Sequence, residues 1–115
     1  MRFKLILSSV KPTITDKVVD AAKEAGATGA TIIQSRGTGM REAKTFFGLS
    51  LEAQTDIIMF LVEEHLVSKI MEAIKKAGKF HKPGTGIAFS LPVDQVLGLE
   101  SQIEKFKEEV RESYF

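Results

Sequence analysis

Apolar and polar positions along this chain follow two periods. Phe3 to Val10 (Phe-Lys-Leu-Ile-Leu-Ser-Ser-Val) is a mostly apolar run of strand length, which predicts a central strand. Pro12 ends it, and Thr13 with Asp16 three residues on predicts an N-capped helix start. From about Ile14 to Ala25 the residues Ile14, Val18, Ala22 and Ala25 share one helical face, and Gly26 supplies a left-handed stop. Ala30 to Ser35 predicts a second strand. Asp56 to Val62 predicts a third, apolar on both faces. Ile87 to Leu91 predicts a fourth, closed by Pro92. A second helix is expected over Glu64 to Ala77, with Leu66, Ile70, Ala73 or Ile74, and Ala77 inward and Gly78 as its stop. A terminal helix is expected over Glu100 to Tyr114, on a stripe of Leu99, Ile103, Phe106 and Val110. Arg36 to Gln54 has no clear period and reads as a long loop with strand extensions at its base; loops of this length tend to be functional.

The two predicted helices repeat each other. Lys17/Lys69, Ala21/Ala73, Lys23/Lys75, Ala25/Ala77 and Gly26/Gly78 are identical between Asp16–Gly26 and Ser68–Gly78. The chain is therefore a doubled strand–helix–strand unit. With right-handed crossovers, two such units interleave into an α+β, ferredoxin-like antiparallel sheet of order 4-1-3-2, with both helices on one face. The C-terminal helix is added to it. Residues 1–99 form the domain and 100–115 a helical tail of the same domain. This topology puts two identical tripeptides, Gly37-Thr38-Gly39 and Gly84-Thr85-Gly86, at one end of the sheet on opposite edges. The sheet face without helices, assigned here to Phe3, Leu5, Ile58 and Phe60 or their neighbours, needs a partner surface, which predicts an oligomer joined edge to edge.

Composition narrows the function. A length of 115 residues fits one domain, small enough for oligomerisation to help. A net charge of +1 argues against a broad nucleic-acid surface. Without Cys there is no disulfide framework or thiolate metal site. No run reaches the ~18 apolar residues of a membrane span, and Leu5-Ile6-Leu7 is too short for a signal peptide. A cytoplasmic protein is expected, with no membrane insertion.

Glycine-rich turns let a backbone approach a phosphate, and successive N–H groups can cradle an anion. Two such tripeptides near Lys79, His81 and Lys82 point to an anion pocket; each tripeptide alone also fits an ordinary turn. His65 and His81 lack the spacing of a metal site, and no metal is expected. Glu63-Glu64 suits a helix N-terminus. There is no nucleophile–base–orienter set, so an enzyme is not expected.

At these residues the chain resembles the PII signal-transduction family. The resemblance rests on Val10-Lys11-Pro12, Gly26-Ala27-Thr28-Gly29-Ala30-Thr31, Arg36-Gly37-Thr38-Gly39 and Ala77-Gly78-Lys79 … Gly84-Thr85-Gly86-Ile87-Ala88-Phe89. It spans about Met1 to Leu99. It implies a homotrimer that binds an adenine nucleotide (ADP, ATP or AMP) in clefts between subunits and regulates a membrane transporter or metabolic enzyme in nitrogen regulation. Thr31, Gly37, Thr38 and Gly39 would line the nucleotide from one side. Gly84, Thr85 and Gly86, with Lys79, His81 and Lys82, would hold its phosphates as the family's B-loop. Gly37 to about Thr55 would be the flexible T-loop, with Met40, Arg41, Lys44, Phe46 and Phe47 placed to meet a partner. The chain departs from the family pattern in places. This T-loop is shorter than usual and has no Tyr, since Tyr114 is the chain's only one. The usual B-loop Lys falls at Ile87, and the usual arginine pair near Gly98 and Glu100. The alternative is a trimeric ferredoxin-like interaction module without a small ligand, akin to the CutA architecture.

Overall fold

The computed structural model describes residues 1–37, 45–46, 49–50 and 53–114. Strand β1 (Phe3–Val10) leads through a 3-10 turn at Pro12–Ile14 into helix α1 (Thr15–Glu24). Strand β2 (Thr31–Gly37) follows, then the short pair β3 (Thr45–Phe46) and β4 (Leu49–Ser50), and the long strand β5 (Ala53–Glu63). A second 3-10 turn at Glu64–Leu66 opens helix α2 (Val67–Gly78), and β6 (Gly86–Val93) completes the sheet. Helix α3 (Ile103–Tyr114) follows a third 3-10 turn at Glu100–Gln102.

The main sheet has the order β2-β5-β1-β6, all neighbours antiparallel. Counting its four strands alone, this is the interleaved ferredoxin-like order. The two strands with apolar residues on both faces, β1 and β5, are the inner ones, as burial on both faces demands. Ile6, Val10, Ile58, Phe60 and Val62 point to the helices and are almost fully buried, with Val18, Ala22, Leu66, Ile70 and Ile74 packed over them.

That parity corrects one expectation. Ile58 and Phe60 lie under the helices, not on the open face. A strand alternates faces, so the open face belongs to Phe3, Leu5 and Leu7 with their register partners Met59 and Leu61 on β5 and Phe89 and Leu91 on β6. Ile87, Phe89 and Leu91 are 62%, 42% and 42% exposed, a row of large apolar side chains facing solvent in the single chain.

Element ends differ from the sequence reading for local reasons. Strand β5 begins at Ala53 because Ser35, Arg36 and Gly37 pair with Thr55, Gln54 and Ala53. The expected loop thus gives its base to a ladder. Pro92 lies inside β6, which is an edge strand where a missing N–H is tolerated. Thr13 makes no cap: it sits within the 3-10 turn, and α1 starts without a side-chain cap. Glu63 does cap the second helical segment, its carboxylate accepting from the His65 backbone N–H at 2.7 Å. Gly78 is not the left-handed stop. It is the last residue of α2, and Lys79 takes the left-handed conformation at φ 51°.

Candidate functional site

The end of the sheet where β1 finishes gathers the chemistry. Gln34, Asp56, Val10 and Gly86 are register neighbours across all four strands. Gly37 therefore ends the β2 edge, and Gly86 begins the β6 edge, at the same end. Three strand spacings separate those edges, about 14 Å. Within one protomer Gly37 and Gly86 do not meet.

The loop between α2 and β6 is fixed from inside. The Phe80 N–H donates to Lys75 O at 3.1 Å and the Lys79 N–H to Lys76 O at 3.3 Å, the paired bonds of a Schellman cap. Gly78 is required by this cap: a Cβ there would lie 2.2 Å from Phe80 Cε1, so only glycine lets the ring fold back. The same ring explains Gly86, whose Cβ would lie 2.7 Å from Ser9 O and 3.0 Å from Phe80 Cε1. Close packing accounts for Gly86. Gly84 is different. It has φ +77°, and no described atom lies within 4 Å of where its Cβ would be, so its backbone faces open space. The Thr85 hydroxyl donates to Lys79 O at 3.0 Å and Lys82 O at 3.1 Å, which commits its hydrogen inside the loop. The Lys82 N–H also bonds Lys79 O at 2.9 Å. Lys79, His81, Lys82 and Gly84 are exposed on this loop.

Thr31 stands apart from Gly37. It begins β2 opposite Met59, in mid-sheet, six residues from Gly37 and thus about 20 Å along the strand. Phe46 lies in β3, paired with Leu49. Thr38, Gly39, Met40, Arg41, Lys44 and Phe47 lie outside the described residues. Ile87, where the family lysine is expected, starts the exposed apolar row. Gly98 has φ 92°, and Glu100 is exposed in a 3-10 turn.

A set not singled out from the sequence lies beside this end. Pro12, Gln34, Ser35, Arg36, Gln54, Thr55 and Asp56 line a cleft of about 490 Å³. The buried Thr15 hydroxyl donates to Asp56 Oδ2 at 2.6 Å, and Ser35 and Thr55 share a 2.8 Å hydroxyl hydrogen bond. The available signal was Asp56 itself, a charge at the head of an otherwise apolar strand. Glu63, Glu64 and His65 cluster at the opposite end of the sheet, where Glu63 pairs with Phe3. Both Glu63 oxygens meet His65, one at the backbone N–H and one at Nδ1, 2.5 Å away, which is a cap geometry.

A family model described as nitrogen regulatory protein P-II matches residues 3–102, every element except α3. The nitrogen regulatory protein P-II of Azospirillum brasilense is 29% identical over 103 residues, 85% of this chain and 92% of that protein. Those of Rhodospirillum rubrum and Mesorhizobium japonicum are 26% and 27% identical over the same spans. A match this long, carried by a sheet of the expected order, means that the chain belongs to the nitrogen regulatory protein P-II family.

Proposed function

We propose that this P-II family signalling protein works as a homotrimer that senses an adenine nucleotide between protomers. The readout passes to a transporter or metabolic enzyme through the segment between β2 and β5. It is a regulator, not an enzyme. The observation that carries this reading is the α2–β6 loop. It holds two left-handed residues, Lys79 and Gly84, and three exposed basic side chains at the sheet end that also carries Gly37. A non-glycine residue held left-handed is strain of order 1 kcal/mol that often marks a functional turn. The open apolar face supplies the trimer contact. Docking protomers through it brings one chain's β2 edge toward a neighbour's β6 edge, so that Gly37 and Gly84 enclose one anion.

Calorimetric titration of ADP, ATP and AMP into the protein tests this. Heat with at least one nucleotide, lost on Gly84→Asp at unchanged mass and with the melting temperature lowered only by the strain of a side chain at φ +77°, is expected. Absence of heat with all three would remove the sensing role. One observation favours the ligand-free interaction module instead: the Thr85 hydroxyl is committed within its loop, and Ile87 stands in the expected lysine position. Thermal shift separates the two, since a ligand at 100-fold over its Kd adds about 2.7 kcal/mol and a module without a ligand site shows no shift.

A further inference from the structure

We propose that the cleft at the root of the β2–β5 ribbon binds a small zwitterion, an α-amino acid, between Arg36 and Asp56. Strand β1 ends at Val10, opposite Asp56, while β2 and β5 continue to the Gly37–Ala53 pair. The two strands thus overhang the sheet as a ribbon, and Pro12 stands beside it. The space between is the 490 Å³ cleft. Arg36 pairs with Gln54 and Gln34 with Asp56, so these four residues share one face of the ribbon. Ile58, two residues on from Asp56, is buried under the helices, so that face is the helix side. The nucleotide reading uses the glycine turns and the contact between protomers. This cleft is built from one chain alone and does not depend on that reading.

Its lining selects the ligand. Among the described lining residues only Pro12 is apolar, which gives an adenine ring little to stack on. Asp56 repels a phosphate or a second carboxylate, and Arg36 repels a bare divalent cation. One positive and one negative group at diagonal register positions match a molecule that carries one of each. Arg36 takes the carboxylate as a fork and Asp56 takes the ammonium. The Thr15 hydroxyl, itself 4% exposed, holds Asp56 Oδ2 at 2.6 Å and so orients the carboxylate before the ligand arrives. The Gln34 and Gln54 amides offer both donors and acceptors to the rest of the ligand.

An amino acid of this size in an open cleft should bind with a Kd on the order of 1 mM. The test is an amide chemical-shift titration of the isotope-labelled, nucleotide-free protein with L-alanine, with propionate and isopropylamine as its two halves. L-Alanine should shift Ser35, Arg36, Thr55 and Asp56. Each half should bind at least about tenfold more weakly, as should L-alanine to Asp56→Asn and to Arg36→Gln. Asp56→Asn keeps an acceptor for Thr15 and Arg36→Gln keeps a polar side chain at an exposed position, and circular dichroism melts check that both variants are folded. No shift at these amides by about 20 mM L-alanine, equal binding of propionate, or undiminished binding to both variants would each overturn the proposal.

Discussion

Lys79 occupies a backbone position that glycine fills at lower free energy. Its φ of 51° completes the Schellman cap of α2 in a chain that has a glycine one residue earlier. That neighbouring glycine is needed for another reason, the Phe80 ring. Lys79→Gly is therefore expected to raise stability by about 0.5–1 kcal/mol in urea unfolding while weakening nucleotide binding, a split that a purely structural lysine would not give. The two glycines of Gly84-Thr85-Gly86 should also separate. Gly86→Ala drives a Cβ into Ser9 O and should destabilise by about 1–3 kcal/mol. Gly84→Ala meets no described atom within 4 Å and pays only the strain of φ +77°, about 1 kcal/mol, so its larger effect should fall on ligand affinity. Thr15→Val removes the 2.6 Å bond to Asp56 and should lose about 1–2 kcal/mol by the same measurement.

At the scale of elements, helix α3 lies beyond the family match yet packs Val110 against the core and contacts the turn that opens α2. Truncation after Gln102 should lower stability by about 1–2 kcal/mol, for the burial of roughly one aliphatic side chain, and leave nucleotide binding in place. Circular dichroism melts and calorimetry on the truncated chain check both halves of that expectation. The elements were legible from the sequence because their periods are clean: the repeat of α1 in α2, and the long apolar runs of β1 and β5, fix type and order. What could not be read has physical causes. The parity of β5 was misassigned because Ile57 to Val62 is apolar at every position, so nothing in the sequence says which residues meet the helices. Pro92 reads as a terminator, yet an edge strand tolerates it. Thr13 resembles a cap, but the chain enters α1 through a 3-10 turn. The Thr15–Asp56 contact joins residues 41 positions apart, a pairing no local pattern carries.

For the whole molecule, the exposed row Ile87, Phe89 and Leu91 and the separation of Gly37 from Gly86 across the sheet are what the proposed assembly must account for. In the proposed trimer each chain would hold half of a pocket and the surface that brings the other half to it. Phe89→Lys places a charge in that apolar face and should break the assembly and nucleotide binding together, while the α-amino acid cleft, built from one chain, persists. Sedimentation equilibrium of the unmodified protein at micromolar concentration tests the shared pocket most directly. The expected mass is three times the 12.7 kDa of the chain. A single species of 12.7 kDa would contradict it, because no lone protomer brings Gly37 and Gly84 to one ligand.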